Sequence, residues 1–380
     1  MSLNVLFIDD DPRSLDDFRR LAPGGGGELV PAFAANWPEA DRLMQETPFD
    51  VVVAAGNDAD GEGPAALARI GGSRPGLRRL YVSSDRDSPA TEIADQYLWR
   101  PFDSERLRVA ILATHHLGSR VASHRLAELT RGGMRLPSLP DVYLRMQEEI
   151  RSPDPSMDRI GQLVAADPAV SIKVLQIVNS ALYGLRSEVG DISQATRLLG
   201  MNTVSSLVLA AGVFRQAEGL GRRLVEGLWQ ESLRVSTLAR LIAQEWGYPR
   251  TVVETTQLAG LLHDVGDIVF YQNWPDEFLQ VDMANRLDDE QTRFGASHAD
   301  VGGYLVATWG LPSAVVGAVA NHHDPAFERM SVPGPTVAVH VARGLVTAGM
   351  DPNRAELDRP YLEAVGWADA LARFAALGTP

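Results

Sequence analysis

Strand signal stops about one third of the way along this chain. Up to residue 113, short apolar runs alternate with helical patterns: 4–8 (NVLFI), 51–55 (VVVAA), 80–83 (LYVS) and a short run at 97–98. Helical stretches lie near 14–21, 39–45, 65–70, 90–95 and 104–113. Alternation at this pitch predicts a parallel sheet covered by helices on both faces, with functional groups at the carboxyl ends of its strands. Asp9, Asp10 and Asp11 follow the first run directly. From residue 136 onward the pattern is helical throughout, punctuated by Gly and Pro, with helices expected at 195–199, 207–213, 228–246, 257–271, 299–309 and 314–321. Asp167-Pro168 reads as a capped helix start and Gly200 as a helix stop. The expected organisation is an α/β domain over 1–115, a helical linker over 116–135, an all-α domain over 136–343 and a helical tail over 344–380.

The chain's 380 residues are enough for two or three domains with full cores. Its net charge of −14 is evenly divided: residues 1–115 hold 19 acidic and 12 basic side chains, and the remainder 30 and 23. No Lys/Arg cluster stands out, which argues against nucleic acid and anionic membranes as partners. Cysteine is absent, so disulfide and thiolate chemistry are excluded. Acidic residues follow the first short apolar run, unlike a signal peptide, and no apolar stretch is long enough to span a bilayer. These features predict a cytoplasmic protein. Lys173 is the only lysine against 34 arginines, a bias that cautions against reading meaning into an arginine where lysine is usual.

The stretch LAGLLHDVGDIVFY (258–271) carries a His-Asp pair. Read as one helix, Leu258, Leu261, Leu262, Val265, Ile268 and Val269 form an apolar stripe. His263, Asp264 and Asp267 fall on the other side beside Ala259, Gly260, Phe270 and Tyr271. That mixture suits polar groups lining a small pocket. Adjacent His and Asp are good ligands for a divalent metal, which needs further ligands from other helices. His298, His322, His323 and His340 are the candidates. Each also has a plainer role: His322 and His323 as cations at a helix C-terminus, His298 as a solvent-facing first-turn residue.

FIDDDP (7–12) resembles the start of a two-component receiver domain, over about the first 115 residues. The resemblance implies a flavodoxin-like fold with a five-stranded parallel sheet, an acidic pair that binds magnesium and an aspartate that accepts a phosphoryl group. Asp9 and Asp10 match the acidic pair, Ser83 the hydroxyl position, and Arg100 stands where the family has lysine. The acceptor position falls on Ala55, which offers neither a nucleophile nor a metal ligand. Asp58 and Asp60 lie beyond it in the loop. A degenerate receiver is implied, with Arg100 neutralising Asp9 or Asp10 in place of magnesium.

The helical region resembles the HD-related output domain family, HDOD, kin to HD phosphohydrolases and to HD-GYP cyclic-di-GMP phosphodiesterases. The resemblance runs over 136–342 through LPSLPDVYLRM, AADPAVSIKVLQIVNSALYG (with Asn179, Ser180, Tyr183 and Gly184), ISQATRLLGMNTVSSLVL, LLHDVGD, HADVGGYLVATWGLP and NHHDP. It implies a helical HD-like bundle. Against the catalytic pattern, the first His position falls on Glu231, the distant Asp position on Arg343, and the lysine after His-Asp on Asp267. His263 and Asp264 remain, with Glu231, His298, His322 and His323 as vestigial metal candidates. Arg343 would repel a metal and could pair with Asp264. The expectation is a response regulator that joins a receiver-like domain to a non-catalytic HDOD module acting through protein contacts. No catalytic residue and no cofactor are assigned beyond a weakly held divalent metal. Signalling proteins are the expected partners, and a homodimer is compatible with the reading. The competing class is a metal-dependent phosphohydrolase or cyclic-dinucleotide phosphodiesterase, and a nucleotide-binding sensor is a third.

Overall fold

The computed structural model describes residues 3–21, 29–55, 77–83, 96–100, 136–179, 189–217, 221–328 and 334–378, with further isolated positions between 67 and 115. The expected linker at 116–135, Asp58, Asp60, Ser180, Tyr183 and Gly184 lie outside them, as do half of the expected helix at 65–70, most of that at 90–95 and part of that at 104–113. Five strands are described: β1 (Leu3–Ile8), β2 (Leu29–Ala34), β3 (Val51–Ala55), β4 (Arg78–Ser83) and β5 (Gln96–Trp99). The helices in chain order are α1 (Pro12–Leu21), α2 (Trp37–Glu46), α3 (Asp141–Ile150), α4 (Met157–Ala165), α5 (Pro168–Val178), α6 (Ile192–Leu199), α7 (Met201–Ala217), α8 (Arg222–Glu245), α9 (Arg250–Leu262), α10 (Val265–Asn273) and α11 (Pro275–Phe278). They continue with α12 (Arg286–Phe294), α13 (His298–Thr308), α14 (Ser313–Asn321), α15 (Pro335–Thr347), α16 (Arg359–Ala364) and α17 (Leu371–Leu377). The chain divides into two compact units, one of Met1–Arg135 with Gln280–Val316, the other of Leu136–Leu279 with Gly317–Pro380.

In the first unit the strands are all parallel, in the order β2-β1-β3-β4-β5. Both faces are buried, so the central strands are apolar at every position rather than at alternate ones. Val5, Phe7, Val51, Val53, Leu80 and Val82 enter one core, while Leu6, Ile8, Val52, Ala54 and Tyr81 enter the other. β2 is not among the strands expected from sequence. Its run LVPAFA contains Pro31, which cannot donate to a ladder. The edge position of β2 tolerates that loss, because one side of an edge strand has no partner to serve.

The second unit is helical. Asp167 caps α5, its side chain accepting from the Val170 N–H, with Pro168 at the first position. Gly200 ends α6 with φ +87°, a conformation that suits glycine. α8 packs against α9, α15 and α17. α8 and α9 approach closely at Gly260, where an added Cβ would lie 2.7 Å from Ser236 Cα. Ser236 Oγ donates to the Gln257 carbonyl across the same contact at 2.8 Å. The tail is part of this unit's core: Trp367 is fully buried, its ring 4.8 Å from Trp246 and 5.2 Å from Phe374. The single helix expected over 257–271 is two. α9 ends at Leu262 and α10 begins at Val265, so the His-Asp pair occupies the junction. The apolar stripe runs straight through that junction, which is why periodicity alone does not reveal it.

Gly260→Val should destabilise the protein by about 3 kcal/mol, the upper part of the usual overpacking cost, because the obstructing atom is backbone. An added Cβ at Gly227 in α8 meets nothing within 4 Å. Gly227→Ala should therefore stabilise by up to about 1 kcal/mol through helix propensity. Urea unfolding midpoints of the two variants, moving in opposite directions, check the packing.

Candidate functional site

The junction orients His263. Its Nδ1 lies 2.9 Å from the Gly260 carbonyl oxygen, which can only accept, so Nδ1 carries the proton. That bond caps the last turn of α9. Asp264 follows at φ −101°, ψ 21°, outside the α region, and starts α10. His263 is fully buried and Asp264 nearly so. The His263 Nε2 atom stands 3.2 Å from Asp264 Oδ2. The distance is that of an ion pair, yet Nε2 makes no hydrogen bond among the described residues. With Nδ1–H bound to Gly260, the Nε2 atom is the one ring nitrogen turned towards the carboxylate, where a lone pair could hold a cation shared with Asp264.

His322 is built in the same way. Its Nδ1 is 2.8 Å from the Val319 carbonyl at the end of α14, and its Nε2 is 3.6 Å from Asp264 Oδ1. The His263 and His322 rings lie edge to face, 5.2 Å apart. The His323 ring lies 4.3 Å from that of His322, tilted by 45°, and is half-buried. His340 differs. Its Nδ1 donates to the His322 carbonyl at 2.8 Å and its Nε2 accepts the Asp358 backbone N–H at 2.9 Å. Both nitrogens are engaged, and burial, with Arg343 adding to it, holds its pKa below the usual histidine value. His340 therefore fixes His322 from behind and is no ligand.

Two imidazole nitrogens of this unit stand beside one carboxylate, on different oxygens: His263 Nε2 by Asp264 Oδ2 and His322 Nε2 by Asp264 Oδ1. Imidazole and carboxylate together suit Mn²⁺, Fe²⁺ or Zn²⁺, and the unpartnered His263 Nε2 is the observation that favours such an ion. Structural sites for these metals usually supply four protein ligands. Glu231 is half-buried on α8 and has no ion-pair partner among the described residues. Arg343 on α15 forms its ion pair with Glu356, 3.7 Å away, rather than with Asp264. Glu356 is exposed and brings a carboxylate to the guanidinium without desolvation, whereas Asp264 is buried.

His298 belongs to the first unit and does not face solvent; it is fully buried. Burial is repaid by Glu290 on α12, which accepts from the His298 backbone N–H at 2.8 Å and from its Nδ1 at 2.7 Å. Arg286 Nε donates to the same carboxylate at 2.8 Å. Burial alone would raise the Glu290 pKa; His298 and Arg286 outweigh it and hold the carboxyl below its usual range. Sequence reasoning missed Glu290. The available signal was the Arg286/Glu290 spacing of four, which places both on one helix face.

A profile of the HDOD domain matches residues 136–325, half of the chain. The chain belongs to the HDOD domain family. An HDOD domain protein of unknown function from Geobacter sulfurreducens is 22% identical in structure-based comparison, with TM-score 0.53, over 69% of this chain and 98% of that one. A protein from Shewanella amazonensis named as a candidate phosphohydrolase is 20% identical with TM-score 0.49, over 67% and 95%. An uncharacterized protein from Treponema pallidum (strain Nichols) is 28% identical over 197 residues, 50% of this chain. The chain spans 38% of that relative's length. His263, Asp264, Glu231 and the His322-His323 pair all fall inside the HDOD match; Arg343 falls beyond it.

In the first unit, Asp9 directly follows β1 and is buried, and Asp10 beside it is exposed. Arg100 Nη2 donates to Ser14 Oγ and stands 3.7 Å from Asp9 Oδ2. Its guanidinium lies 5.5 Å from the ring centroids of both Phe18 and Phe102. Ser83 ends β4 and is buried; Ala55 ends β3 with 7% exposure. The Asp9 pKa is raised above its ordinary value. Burial is the largest cause, partly offset by hydrogen bonds from Ser14 and the Asp11 N–H and by the Arg100 charge. A carboxylate raised in the folded state weighs against folding above its folded pKa and ceases to do so once protonated.

Arg100→Ala removes the cation that stands beside Asp9 among the described residues and should cost about 1–2 kcal/mol at neutral pH, less than a fully buried pair because Arg100 is part-exposed. Acidification through the Asp9 pKa neutralises the carboxyl, so the gap to wild type should narrow as pH falls. Thermal melts of both proteins between neutral and acid pH check the magnitude and the sign.

Proposed function

We propose that this protein is a signal-transduction regulator in which a receiver-like domain, residues 1–115, is coupled to a non-catalytic HDOD module, residues 136–343, that works through contacts with other signalling proteins. The observation that carries the reading is Ala55. A buried methyl group closes β3, between the strand that Asp9 follows and the strand that Ser83 ends, at the point where phosphoryl transfer needs a carboxylate. The parallel strand order β2-β1-β3-β4-β5 supports a flavodoxin-like receiver, and Arg100 takes the electrostatic role of the magnesium such a site would otherwise hold. The even spread of acidic charge supports protein partners over nucleic acid or anionic membranes, in the cytoplasm. No single helix among the described residues is long and apolar enough to cross a membrane.

The second reading, a metal-dependent phosphohydrolase, is favoured by the buried, unbonded Nε2 of His263. A divalent ion held there by His263, Asp264 and His322 would polarise a phosphoryl oxygen and activate water. Against it, the further positions that the HD pattern assigns to ligands carry Glu231 and Arg343. Tight sites need three or four ligands in fixed geometry, and of the HD pattern's ligands only His263 and Asp264 remain, a two-ligand remnant that binds metal weakly.

Incubation with acetyl phosphate and magnesium should leave residues 1–113 unlabelled in mass spectrometry; an acyl-phosphate there, on Asp58 or Asp60 included, would overturn the degenerate reading. Protein purified without chelator should carry well under one equivalent of metal and should not hydrolyse cyclic-di-GMP or generic phosphodiesters. His263→Ala should then alter stability and no activity. One equivalent of metal, with turnover that His263→Ala abolishes, would replace the regulator by the enzyme.

A further inference from the structure

A cavity of about 430 Å³ opens between α5, α7 and α8 of the helical unit. Its volume falls within the usual range for small-molecule sites, roughly 300–1,000 Å³. The floor is apolar: Val170, Ala211 and Val225 are essentially buried. Polar groups are confined to the walls, where Lys173, Gln176, Arg215 and Glu226 stand.

Lys173 is the only lysine in a chain of 34 arginines. Its ammonium sits 5.4 Å from the centroid of the buried Trp229 ring, a cation–π contact that keeps the head group over the cavity wall. Arg215 is positioned from its other side. Only its Nη1 is engaged, 2.7 and 2.8 Å from the two Asp167 oxygens. Its Nε and Nη2 make no hydrogen bond among the described residues. Asp167 also caps α5 through the Val170 N–H, so this carboxylate holds the guanidinium in place without lining the cavity. The Gln176 amide likewise makes no hydrogen bond among the described residues. The single lining carboxylate, Glu226, is exposed and accepts from Gln230 at 2.9 Å. Among the described lining residues, Lys173 and Arg215 face one carboxylate, Glu226; the Arg215 charge is shared with Asp167 behind it, so the wall offers an oxyanion the Lys173 ammonium and the Arg215 Nε and Nη2 donors.

We propose that this cavity binds a small organic oxyanion with an apolar body, its charged end between Lys173 and Arg215 and its body over Val170, Ala211 and Val225. Such a ligand meets both halves of the lining: planar guanidinium donors and an ammonium suit an oxyanion, and the floor gains from covering. Inorganic anions satisfy only the first half, neutral aromatics only the second. The site shares no residue with the His263 cluster and stands whether or not that cluster holds metal or the receiver-like domain is degenerate.

Phenyl phosphate is the probe, with inorganic phosphate and phenol as the two half-ligands, titrated calorimetrically into the full-length protein. The expected result is saturable one-to-one binding of phenyl phosphate, with each half-ligand at least about tenfold weaker. Lys173→Met should weaken phenyl phosphate by roughly tenfold or more, the effect of losing one charge-assisted hydrogen bond. A second measurement needs no variant. Amine acetylation of the wild type reports on Lys173 alone, apart from the N-terminus, and phenyl phosphate should slow labelling of Lys173 while leaving the N-terminus unchanged. Absence of saturable binding, wild-type affinity in Lys173→Met, or labelling of Lys173 indifferent to phenyl phosphate each overturns the proposal.

Discussion

The polar centre of the helical unit depends on imidazole Nδ1–H groups bound to backbone carbonyls. His263 donates to Gly260, His322 to Val319 and His340 to the His322 carbonyl. Each bond fixes a tautomer and a ring plane together, so the Nε2 atoms of His263 and His322 are left facing Asp264. Gly260 serves twice. Its carbonyl holds His263, and its missing side chain lets α9 approach Ser236 of α8. The break between α9 and α10 is the local consequence, because a side chain that bonds the last-turn carbonyl competes with helix continuation.

Buried carboxylates in this protein are handled in different ways, and the difference follows from the number and distance of their partners. Glu290 has a guanidinium and an imidazole within 2.8 Å and is held below its usual pKa despite complete burial. Asp9 has a guanidinium at 3.7 Å, and burial prevails. The contrast bears on the receiver-like reading. An arginine 5.5 Å from the Phe18 and Phe102 rings supplies permanent charge at the sheet's carboxyl edge, but from a distance that leaves Asp9 only partly compensated.

Much of the architecture was legible in advance. Apolar runs marked β1, β3, β4 and β5; Asp167-Pro168 and Gly200 marked helix boundaries; and alanine at 55 is visible in the sequence itself. β2 was hidden by Pro31, whose cost depends on whether the strand lies at an edge. The helix junction at His263-Asp264 was hidden by an apolar stripe that continues across it. His298 looked like a solvent-facing cap because Glu290 lies eight residues earlier, across a turn whose closure no local pattern announces.

By itself the sequence determined which segments are strands or helices, that the chain changes character after the first third, and which side chains were available for chemistry. These properties follow from near-neighbour spacing and side-chain type. Only the tertiary structure decided which imidazole nitrogens carry protons, that His340 serves Asp358 and the His322 carbonyl rather than a metal, that Arg343 pairs with Glu356, and that the lone lysine stands over a tryptophan beside a cavity. Ion pairs and tautomers answer to whichever atoms folding brings within about 3 Å, and those atoms come from segments that spacing along the chain does not relate.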